Sequence, residues 1–132
     1  MIKSITGCLI KYDKPWPDGS IIQKGAFNEN PIDKIPVTTH FRDWTNTIGF
    51  CELEYRDDGV YYIFHPVDTE AAKRVLDEKT VWDENCYIGP FCNKVCRQKE
   101  DQKIVEKANI VSGAISFGKY ESSYVESIEL EK

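Results

Sequence analysis

The chain has 132 residues, a formal net charge of −5, and 41% hydrophobic and 30% charged residues. That length fits one domain spanning 1–132; split in two, each core would be marginal. The composition excludes disorder and low-complexity sequence. Basic residues are scattered rather than gathered into a stripe, which argues against nucleic acid as a partner. The interrupted cluster from Lys94 to Lys99 reads as a solvated face.

No apolar run is long enough to span a bilayer, so no membrane partner is expected. The opening Met1-Ile2-Lys3-Ser4-Ile5 lacks the apolar stretch of a secretory signal, and a cytoplasmic location is the expectation.

In chain order, Ser4 to Tyr12 carries Ile5, Leu9, Ile10 and Tyr12 and reads as a strand. Lys14-Pro15-Trp16-Pro17-Asp18-Gly19 is a turn, because two prolines and an Asp-Gly pair cannot continue a ladder. Ser20 to Gln23 is a short β-like piece, and Gly25-Ala26-Phe27 leads into a polar loop ending near Pro31. Ile35 to Thr39 is β-branched, with Pro36 pushing it toward a sheet edge.

Thr47 to Tyr55 and Val60 to Phe64 are strands joined through Asp58-Gly59, a strong hairpin signal. Asp68 to Glu78 reads as the one clear helix, capped by Asp68 or Thr69, with Ala71, Ala72, Val75 and Leu76 at helical spacing. Val81 to Lys107 is read as an inserted hairpin around Gly89-Pro90. Ala108 to Phe117 is apolar, and Tyr124 to Leu130 alternates like a final strand. The sum is a mainly β (α+β) domain, an antiparallel barrel-like core with one helix.

Five cysteines cannot all pair within one chain, and in a reducing compartment they are thiols. Cys8 and Cys51 sit in apolar runs and read as core. Cys86, Cys92 and Cys96 have a spacing that fits no standard zinc site, so no metal and no cofactor is assigned.

The chemistry-bearing candidates are few. The chain has two histidines, and a serine nucleophile near neutral pH needs a base, usually imidazole. His40 follows a strand and precedes a polar loop, where rigid elements often hold functional side chains. Ser116 lies in Ser112-Gly113-Ala114-Ile115-Ser116-Phe117-Gly118, among small residues that permit close backbone approach. Taken singly, each reads as structural; their order along the chain points further.

Gly7-Cys8-Leu9-Ile10, Asp18-Gly19-Ser20-Ile21-Ile22 and Gly25-Ala26-Phe27 come first. Thr39-His40, Ile48-Gly49, Asp58-Gly59-Val60, the Thr69 to Leu76 segment and Ser116-Phe117-Gly118-Lys119 follow. In that order they resemble the head-maturation (prohead) serine proteases of tailed bacteriophages, which are related to herpesvirus assembly proteases. Phe41 and Lys119 stand where that family often has aspartate and an aromatic.

The resemblance implies a herpesvirus-protease-like fold and a serine endopeptidase that cuts capsid or scaffold proteins during head assembly. Ser116 would be the nucleophile, His40 its base, and Phe117 and Gly118 the oxyanion or substrate-binding segment. Glu126, in Glu126-Ser127-Ile128-Glu129-Leu130, is the first choice for the orienting residue, and His65 the second. Crowding inside an assembling shell would favour a homo-oligomer.

A competing reading is a catalytically inactive β-barrel module, a structural or interaction protein of a phage or prophage. In it Trp16, Trp44 and Trp82 supply a binding surface or pack in the core.

Overall fold

A computed structural model describes residues 2–16, 19–28, 31–39, 47–70, 72–73, 86–99, 102–118 and 120–130. The fold is mostly β, a single sheet curled into a half-barrel. Its strands are β1 (Ile2–Lys11), β2 (Ile21–Ile22), β3 (Lys34–Thr38), β4 (Thr47–Arg56), β5 (Gly59–Pro66), β6 (Cys86–Lys99), β7 (Gln102–Phe117) and β8 (Tyr124–Leu130).

The hairpin read at Asp58-Gly59 is present. β4 and β5 pair antiparallel from Arg56 opposite Gly59 to Gly49 opposite Pro66. Alternation along β5 sends Val60, Tyr62 and Phe64 into the core and leaves Ile63 and His65 exposed. β1 lies between β5 and β8, antiparallel to both. Its Ile5, Leu9 and Ile10 join Phe64, Ile48, Ile35, Val37 and Ile88 in one core. β3 pairs antiparallel with β4 and parallel with β7.

Pro36 was expected to mark an edge, yet β3 lies between β4 and β7 in the sheet. The proline is tolerated because the ladder to β7 includes only Val37 and Thr38, so no inter-strand donor is missing at Pro36.

The hairpin expected around Gly89-Pro90 is also placed differently. Both residues lie inside β6, opposite Ala114 and Gly113 of β7, and the β6–β7 turn follows Lys99. Among the described residues β6 pairs only with β7, so a proline there interrupts no second described ladder.

The one clear helix expected from Asp68 to Glu78 is not an element of the described structure, which holds there only a single turn at Glu70, Ala72 and Lys73. Thr69 is its cap: its Oγ1 accepts from the Ala72 N–H at 3.1 Å, and its carbonyl accepts from the Lys73 N–H at 3.0 Å. The remainder lies outside the described residues. β8, read as alternating, is exposed from Glu126 onward on both faces because it is an outer strand.

β7 organises the far side of the sheet. It pairs with β6 along one edge and with β2 and β3, in succession, along the other. Its register against β6 skips Glu106 and Val111, two β-bulges. Each bulge inserts one residue and reverses which side chains face inward.

Before the second bulge, Val105, Ala108 and Ile110 lie in the core. After it, Ile115 packs on the core, and a Cβ added to Gly113 would point at the Ile88 and Val37 side chains. Ser112, Ala114 and Ser116 therefore face away from the barrel interior.

The two ends of the curled sheet approach at Ser123. Its buried hydroxyl can donate to the Ile88 carbonyl of β6 at 3.2 Å or to the Cys8 carbonyl of β1 at 3.5 Å.

Candidate functional site

Ser116 sits one residue before the end of β7, half-buried. Its hydroxyl donates to the Ala114 carbonyl two residues back, at 3.2 Å. Directly across the ladder stands Tyr87 of β6, on the same outward face. Tyr87 is 9% exposed although it does not face the barrel interior, and Ala114 and Thr38 beside it are also buried. This end of the sheet is covered on both faces.

Burial raises the Tyr87 phenol above the usual tyrosine range; the neighbouring Tyr120 adds to the rise, and the Ser116 hydroxyl beside it opposes it. Tyr120 meets the Tyr87 ring edge-on, with centroids 5.5 Å apart and planes at 75°.

Gly118 follows β7 with φ of 142°, in a region that L side chains rarely enter. The side of Gly118 where a Cβ would project is filled by the Tyr120 ring, whose Oη would lie 2.9 Å from that atom. Both the backbone angle and the neighbouring ring favour glycine here. Phe117 ends β7 opposite Cys86, and its side chain lies outside the described residues. His40, the expected base, is likewise outside them, as are Trp44 and Trp82.

Glu126 is the residue that β8 adds between Ser127, opposite Thr6, and Val125, opposite Gly7. It is exposed and lines a groove of about 460 Å³ with Thr6, Glu52, Glu54, Arg56 and Ile63. The walls of that groove come from β1, β4, β5 and β8, and Ser116 is not among its lining residues. His65, at the end of β5, reaches Glu52 at 3.4 Å across the β4–β5 pair, on the solvent side.

Next to this groove, Lys11 Nζ contacts Asp58 at 3.0 Å and donates to the Tyr61 hydroxyl at 3.1 Å. Tyr61 donates to Asp58 at 2.8 Å, and the Arg56 guanidinium lies 4.1 Å from the Tyr61 ring centroid. These contacts fasten the β4–β5 hairpin to β1. Cys8 and Cys51 are buried free thiols, and burial pushes the Cys8 thiol up to about 11. Cys92 and Trp16 are partly buried against the core.

Tyr87 and Tyr120 escaped sequence reasoning. Nothing in their local pattern marks them; Tyr87 meets Ser116 only because β6 pairs with β7 in this register, and Tyr120, two residues beyond Gly118, meets the Tyr87 ring for the same reason. In comparisons with known proteins, the chain matches no family model, no curated protein and no solved structure.

Proposed function

We propose that the protein is a serine endopeptidase of the phage head-maturation kind, acting on capsid or scaffold proteins, with Ser116 as nucleophile and His40 as base. The observation that supports this most is the parallel register of β3 and β7. Val37 stands opposite Gly113 and Thr38 opposite Ala114. His40 is two residues beyond Thr38 and Ser116 two residues beyond Ala114, in strands running the same way. Two peptide units span at most about 7 Å, so the pair departs from neighbouring points of the sheet.

In this reading Ser116 attacks a peptide carbonyl, His40 takes its proton and returns it to the leaving amine, and backbone N–H groups near Gly118 face the oxyanion. After the Val111 bulge Ser116 turns away from the barrel core and stays half-buried, unlike the fully buried Ser112 and Ala114 on the same face. For Glu126 the orienting role rests on its motif alone, since the groove it lines does not include Ser116, and Glu126→Gln tests it separately.

The test is labelling with a fluorophosphonate and mapping the adduct. Modification at Ser116, lost in His40→Ala, is the expected result. In cells, Ser116→Ala should abolish processing of a co-expressed capsid or scaffold protein. Adduct at another residue, or processing that survives Ser116→Ala, refutes the assignment.

A second reading, an inactive β module, is favoured by the Ser116–Ala114 hydrogen bond, which is what a plain strand serine makes. It predicts a folded chain that never labels.

A further inference from the structure

We infer that Tyr87 is a positioning residue for Ser116, its phenol hydroxyl holding the serine hydroxyl on the outer face of the β6–β7 pair. The inference rests on the peptidase reading and deepens it. The two residues are direct cross-strand partners, so their Cβ atoms lie about 5 Å apart on one face. The Tyr87 ring is buried and locked edge-on by Tyr120, which in turn packs over Gly118. One wall thus links the proposed nucleophile, its phenol neighbour and the proposed oxyanion segment.

The chemistry is that of two hydroxyls. Ser116 spends its single proton on the Ala114 carbonyl, leaving its oxygen lone pairs as acceptors. A phenol O–H donating to that oxygen fixes its position whichever way the serine proton points. When the serine proton turns from Ala114 toward a base, the phenol contact remains and the oxygen does not swing. A phenol is the fitting residue here, since its ring supplies packing and its tip a donor.

Two measurements test this. Tyr87→Phe removes the hydroxyl and keeps the ring contact with Tyr120. The rate of fluorophosphonate labelling at Ser116 should fall by about three- to tenfold, the worth of one neutral hydrogen bond, while the unfolding midpoint falls by no more than the loss of one such bond and the chain stays folded. Independently of activity, the Tyr87 phenol is titrated by tyrosine ring NMR in the wild-type protein and in Ser116→Ala. Its pKa should rise in the variant, because on ionisation the Ser116 proton turns from Ala114 to the phenolate, and the variant lacks that donor. Tyr120 is the other titratable group facing it among the described residues.

Equal labelling rates in wild type and Tyr87→Phe overturn the positioning role and leave the peptidase reading standing. A Tyr87 titration that Ser116→Ala does not move overturns the contact itself. A wild-type chain that never labels, while the titration still shifts, removes the peptidase reading and reduces the pair to a structural contact.

Discussion

Alanine substitution at Gly118 and at Gly19 separates two costs that usually arrive together. Both glycines have positive φ, 142° and 82°. A Cβ at Gly19 would meet nothing within 4 Å, whereas one at Gly118 would run into the Tyr120 ring. Gly19→Ala should therefore carry only the backbone term, about 1 kcal/mol. Gly118→Ala carries a backbone term of about 1–3 kcal/mol. It must also push the Tyr120 ring aside, and the edge-on pair with Tyr87 is worth about 0.5–1.5 kcal/mol more. The expected total is about 1.5–4.5 kcal/mol, against a folding free energy on the order of 5–15 kcal/mol.

Urea unfolding followed by fluorescence measures both, read as midpoint shifts at constant slope. The same variant should depress fluorophosphonate labelling at Ser116 more than Gly19→Ala does, since the displaced ring borders the site. Equal destabilisation by the two variants would refute the claim that Tyr120 seals Gly118. A neutral Gly118→Ala would refute the backbone argument as well.

Ser123→Ala removes the hydroxyl that meets the Ile88 and Cys8 carbonyls. It should cost about 1 kcal/mol and speed amide exchange near the start of β6 and of β8, measured by hydrogen exchange. Asp58 is held below the usual carboxylate range by its hydrogen bonds with Lys11 and then Tyr61. Its contribution is therefore present above the unfolded-state pKa of about 3.9 and is lost as pH falls through the lower folded value. Asp58→Asn should flatten that part of the acid limb of stability, read by denaturant midpoints at successive pH values. Among the described thiols, half-buried Cys92 should react with a maleimide before Cys8 and Cys51, both fully buried and both raised by burial. Mass spectrometry of partially labelled protein gives the order.

How far the sequence could be read depends on which forces are local. The β4–β5 hairpin was legible because Asp58-Gly59 and the alternation of Val60, Tyr62 and Phe64 act over neighbouring residues. The Thr69 cap was legible for the same reason. Gly89-Pro90 misled because those residues usually turn a chain, and only the lack of a second described neighbour for β6 lets them stay in a strand. Pro36 misled in the same way. In both cases a proline's missing donor matters only where a partner strand needs it.

The sequence by itself determined the β class, the strand segments outside Val81 to Lys107 and the two residue types, Ser116 and His40, on which the peptidase proposal stands. Tertiary structure decided which face Ser116 presents, because two bulges in β7 shift a period-two pattern that sequence alone would run straight through. It also decided that Ser116 has a phenol for a neighbour and that β3 runs alongside β7. Those are matters of register between strands far apart in the chain, set by the packing of a shared core, and no local propensity encodes them.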